Sequence, residues 1–81
     1  MYWLNPNQST TNECKSFTCD TTDDIQNLPT SEKWGVEQDY KYTDPQVVGN
    51  KPVAIGSDCL VITTGDVYML KSDNQWAPIG G

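Results

Sequence analysis

Gly56-Ser57-Asp58-Cys59-Leu60-Val61-Ile62-Thr63-Thr64-Gly65-Asp66-Val67-Tyr68-Met69-Leu70-Lys71-Ser72-Asp73-Asn74-Gln75-Trp76 is the stretch on which the fold turns. Cys59 to Ile62 is an unbroken apolar run, rich in β-branched residues and too short for a helix; it reads as a central strand covered on both faces. Thr64-Gly65 follows, and Gly65 accepts the positive φ of a tight turn without a Cβ clash. Val67 to Leu70 alternates, with Val67 and Met69 on one face and Tyr68 and Leu70 on the other. Ser72-Asp73-Asn74 hydrogen-bonds local backbone and tolerates left-handed geometry, so the chain reverses again. Trp76 opens a last strand that Pro78 confines to an edge or cuts short, since proline cannot donate to a ladder. Residues 53–79 are thus expected to form a continuous antiparallel meander.

Outward from this meander the signals thin. Val53-Ala54-Ile55 reads as a further short strand, bent or bulged at Gly56-Ser57. Residues 30–52 alternate aromatics with turn formers, and Tyr40 and Tyr42 would share a strand face. The helical signal is confined to residues 20–29, where Thr21 and Asp24 have capping-box spacing and Pro29 prevents continuation, so one or two turns are expected. Asp20, Asp23 and Asp24 lack the alternating ligands and glycine of a calcium loop and read as capping and solvated groups. Residues 1–20 are a polar Asn/Gln/Ser/Thr segment carrying Tyr2, Trp3, Leu4 and Phe17. Such an arm either folds back as an edge strand or reaches out, docking Tyr2, Trp3 and Leu4 on a neighbouring subunit; in the second case its removal would leave the domain folded. The expected organisation is an extended N-terminal arm over residues 1–20 and one small domain over residues 21–81. The fold class is mainly all-β: an antiparallel meander, sandwich or barrel-like module with at most one short helical turn.

Composition bounds function. A domain of 81 residues buries only roughly 60–65% of its unfolded surface, so a further support is expected from disulfides, metal or a partner chain. Three cysteines and no histidine leave a tetrahedral zinc site one soft ligand short, and no cofactor is expected. Cys14 and Cys19 could close a small loop; Cys59 reads as a buried small hydrophobe, and all three fit reduced thiols. Without histidine or clustered lysines beside a cysteine there is no activated nucleophile, and no enzyme is expected. A net charge of −6, with five basic residues, argues against nucleic acid, and no apolar run approaches a membrane span. Met1 to Leu4 lacks the pattern of a signal peptide, and the sequon-like Asn7-Gln8-Ser9 is read as chance. The aromatic residues divide between core and contact surface: Trp76 toward the core, Trp34 toward either, and Trp34, Tyr40 and Tyr42 as candidate partner-binding residues with Tyr2, Trp3 and Leu4.

Asp24-Ile25-x-Asn27-Leu28-Pro29-Thr30, then Gly56-Ser57 before an apolar strand, Thr64-Gly65-x-Val67-Tyr68-x-Leu70 and Trp76-x-x-x-Gly80 together resemble a module of small bacteriophage virion proteins, head-fibre-like or tail-associated. The resemblance spans residues 20–80, with residues 37–52 as an insertion outside the pattern. It implies a non-enzymatic accessory structural protein of capsid or tail, made in the host cytoplasm, located in the virion, and oligomeric or lattice-bound among other virion subunits. The alternative is a soluble binding module for a carbohydrate or protein ligand, using exposed aromatics.

Overall fold

The computed structural model describes residues 1–5, 14–36 and 53–79. Five strands, β1 (Tyr2–Leu4), β2 (Ser16–Cys19), β3 (Asp58–Val61), β4 (Val67–Leu70) and β5 (Trp76–Ile79), form one sheet in sequence order. Among the described residues one 3-10 helix, η1 (Thr22–Asn27), stands between β2 and β3. The protein is mainly β, as its turn signals and short apolar runs require.

The β3–β5 meander is antiparallel throughout, with Cys59 opposite Tyr68 and Leu70 opposite Trp76. Its turns are where local chemistry puts them. Gly65 sits at φ +73°, and the Val61 N–H donates to the Asp66 carbonyl at 2.8 Å to close the first loop. In the second, Asn74 takes φ 63°, and the Lys71 N–H donates to the Gln75 carbonyl at 3.0 Å; an Asx side chain makes this left-handed position tolerable. Residues 53–55 form no strand. Val53 is instead a buried plug whose N–H donates to the Thr30 carbonyl, and Gly56, at φ +97°, turns the chain into β3.

The N-terminal residues depart further from expectation. Of the two readings of the arm, the structure takes the fold-back: β1 pairs antiparallel with β2, placing Tyr2 opposite Cys19 and Leu4 opposite Phe17. Residue 20 is therefore no boundary between arm and domain, because β2 lies inside the sheet. β2 also runs parallel to β3, with Phe17 level with Cys59 and Cys19 level with Val61, so the sheet is mixed rather than a wholly antiparallel sandwich or barrel. Parallel neighbours need a crossover, and a crossover covers a face. Here the connection from β2 to β3 carries η1, Leu28 and Val53, whose apolar side chains join the same core as the strands.

That core comprises Tyr2, Leu4, Phe17, Cys19, Leu28, Val53, Cys59, Val61 and Leu70, with Ile25, Tyr68 and Trp76 against it. Phe17 is its centre: the Tyr2 ring meets it edge-on at 5.9 Å and the Trp76 ring at 6.2 Å, arrangements favoured by the aromatic quadrupole. The Trp76 indole N–H donates to the Pro29 carbonyl at 3.0 Å, so the ring buries its apolar body without orphaning its donor. η1 is anchored at its start by Asp24, which accepts from the Thr21 N–H at 3.0 Å and pairs with the Met1 amino group. Burial opposes ionisation of Asp24, but the bonds from the Met1 amino group and Thr21 outweigh it and hold the carboxyl below the usual carboxylate range.

Candidate functional site

Two surfaces are candidates. The first is the face of the sheet opposite the core. Strand side chains alternate, so the register that sends Tyr2, Phe17, Cys59 and Leu70 inward sends their neighbours outward. One outward row crosses the whole sheet: Trp3 pairs with Thr18, Thr18 with Leu60, Leu60 with Val67, and Val67 with Ile79. Beside it stand Met69 and Ala77, themselves a cross-strand pair, and Ile62 lies just past the end of β3. Leu60 is 43% exposed, Ile62 54% and Ile79 43%, so three large aliphatic side chains meet solvent on or beside one face. The expectation that Cys59 to Ile62 is covered on both faces is corrected here: Cys59 and Val61 are fully buried, while Leu60 and Ile62 are not. Asp58, paired with Met69, and exposed Asp66 put acid at the rim of this apolar strip.

The second surface is a groove of about 260 Å³ between η1 with its following loop and the β4–β5 hairpin, lined by Ile25, Leu28, Trp76, Gln26, Lys33 and Gln75 among others. Asn74 holds its rim, accepting from the Ser31 N–H at 3.0 Å and from the Ser31 hydroxyl. The groove combines one half-buried aromatic ring with amide and ammonium groups. It contains no acid–base pair.

The expected partner-binding residues scatter. Tyr2 and Leu4 are 2% and 0% exposed, core residues rather than a tip offered to a neighbour, and the Tyr2 hydroxyl donates to the Val36 carbonyl. Trp3 lies half-buried on the outward row, whereas Trp34 is 62% exposed on the loop after η1. Tyr40 and Tyr42 fall outside the described residues. Leu60, Ile62, Val67, Met69 and Ile79 were assigned no role by sequence reasoning, although their alternation with Cys59, Val61, Tyr68 and Leu70 carried the signal.

Among the described residues no three His, Cys, Asp or Glu side chains gather as metal ligands, and no helix is long and apolar enough to cross a membrane. All three cysteines are free: Cys14 is exposed with its thiol toward the Ile55 carbonyl, whereas Cys19 and Cys59 are buried. Burial pushes the Cys19 and Cys59 thiols up from their ordinary value, so the protonated form of each is favoured inside the core. Neither family models, curated proteins nor solved structures yield a match to the chain.

Proposed function

We propose that this chain is a non-enzymatic accessory structural protein of a virus particle, attached to a capsid or tail subunit by the open face of its sheet. The observation that carries the reading is the apolar strip formed by Leu60, Ile62, Val67, Met69 and Ile79, left outside a core already complete on the other face. Isolated exposed aliphatics are ordinary, but a contiguous apolar patch rimmed by polar groups is what protein contact surfaces look like. The acidic rim and the net charge of −6 select an apolar patch with basic surroundings on the virion subunit, and argue against nucleic acid. The resemblance of the Leu28-Pro29-Thr30 entry and the Thr64-Gly65-x-Val67-Tyr68 hairpin to virion modules supports the particle as the setting. Attachment through Tyr2 and Leu4 is withdrawn, since both are spent on the core.

The test is co-sedimentation of Leu60→Asp and Ile79→Asp variants with assembled particles, with circular dichroism to verify the sheet. Folded variants that no longer incorporate are the expected result. Incorporation at the wild-type level would remove the open face from the proposal. Failure of the wild type to join any particle would favour the second reading, a soluble binding module, for which the groove beside Trp76 is the supporting observation.

A further inference from the structure

The structure points to an oxidisable pair: we propose that Cys19 and Cys59 close into a disulfide between β2 and β3 when the protein meets a low-molecular-weight disulfide such as oxidised glutathione, and reopen under a reducing poise. This inference does not rest on the virion reading.

The two thiols reach one another across the parallel ladder, on the core face. Phe17 is level with Cys59 and Cys19 with Val61, so the cysteines occupy diagonal positions on adjacent strands. Their sulfurs are 3.5 Å apart and both residues are 0% exposed. A disulfide bond of about 2.05 Å therefore requires the sulfurs to approach by about 1.5 Å, with the strands drawn together along the diagonal. The Cys19 thiol is also 3.3 Å from the Thr21 carbonyl and the Cys59 thiol 3.9 Å from the Leu60 carbonyl. The small loop anticipated between Cys14 and Cys19 is not the one the fold prepares. Cys14 is exposed at the other end of β2, beyond Ser16, and its thiol is engaged at Ile55.

The exchange balances without any further reactant. When the sheet edge opens, the Cys19 thiolate attacks one sulfur of the reagent disulfide, forming a mixed disulfide and expelling a thiolate. The Cys59 thiolate then attacks the Cys19 sulfur, forming the Cys19–Cys59 bond and expelling the second thiolate. The two protons lost by the protein thiols go to the two leaving groups. Two protein thiols are oxidised and one reagent disulfide is reduced to two thiols. Cys19 is the first to react because β2 lies nearer the end of the described sheet, next to the three-residue β1, while Cys59 lies on the central strand. Burial raises both thiols, so exchange is slow and waits on that opening.

The full chain is equilibrated in glutathione buffers of graded ratio, acid-quenched, unfolded, alkylated and mapped without reductant, in the wild type and in Cys14→Ser. At oxidising ratios we expect both proteins to yield a peptide linking Cys19 to Cys59, with Cys14 of the wild type outside that link, as the free thiol or its glutathione mixed disulfide. Because the bond would close a long loop, the oxidised form should melt ~10 °C or more above the reduced form. Three alkylated cysteines in the wild type at every ratio, or a linked pair that includes Cys14, would overturn the proposal. So would two alkylated cysteines in Cys14→Ser at every ratio, a result independent of whether Cys19→Ser or Cys59→Ser variants fold.

Discussion

The two faces of one sheet are built from the same five strands and have opposite fates. On the inner face Leu4, Phe17, Cys19, Cys59, Val61 and Leu70 are all at most 1% exposed, sealed by η1, Leu28 and Val53. On the outer face Leu60 and Ile79 are each 43% exposed, and within β3 Leu60 stands between the fully buried Cys59 and Val61. Intrinsic strand propensity does not distinguish them. The difference comes from the parallel β2–β3 pair, because the crossover it demands is the layer that buries one side. Apolarity on the uncovered side therefore calls for an explanation outside the fold.

The sharpest way to break the comparison is at its inner side. Phe17→Ala removes the ring that both Tyr2 and Trp76 meet edge-on, and should cost on the order of 3–5 kcal/mol, enough to unfold so small a domain. Deleting residues 1–5 should have a similar outcome, since it strips Tyr2 and Leu4 from the core; urea denaturation followed by circular dichroism reads both. A truncated chain as stable as the full one would restore the detachable arm. Trp76→Ala is expected to cost about 3 kcal/mol, while Trp76→Phe, which keeps most of the packing and loses the bond to Pro29, should cost about 1 kcal/mol. An unchanged melting temperature in Trp76→Ala would move this ring from the core to the groove as a ligand contact.

A weaker effect comes from acid. The Asp24 carboxyl is held below its unfolded value, so its contribution to stability is complete above the ordinary aspartate pKa near ~3.9 and is lost as pH falls through the lower folded value. The melting temperature should decline over that window, and Asp24→Asn should melt lower at neutral pH with a shallower decline. Equal slopes in the two proteins would mean that other carboxylates set the acid limit. The smallest effect belongs to the outer face. Leu60→Thr puts a β-branched residue of good strand propensity in the strand and removes only exposed apolar surface, so it should alter stability by less than about 0.5 kcal/mol. Loss of more than ~2 kcal/mol would show that Leu60 is covered in the free protein.

Much of the meander was legible because its instructions are local. Gly65 and Asn74 each occupy a left-handed position that few other residues accept, and the Thr21–Asp24 spacing encodes the start of η1 within four residues. The pairing of Phe17 with Cys59 leaves no comparable trace, since nothing near either residue specifies a partner some 40 positions away. The same blindness made Tyr2 and Leu4 look available to another subunit. Val53-Ala54-Ile55 misled for a different reason: a β-branched run is also what a buried loop plug requires, and only the Gly56 bend tells the two apart. Of the site, Trp34, read as core or surface alike, is 62% exposed, whereas the outer row was missed because an unbroken apolar run was read as buried on both sides.

The parallel join between β2 and β3 also dictates an order of events during synthesis. β3, β4 and β5 connect through short loops and can find one another quickly, whereas β2 must close a long stretch of chain before it gains a ladder bond to β3. Among the described strands β1 pairs with β2. The strands translated first are consequently the last to join the sheet: residues 2–4 and 16–19 can pair with each other early, but on the ribosome their docking waits for residues 58–61 to emerge.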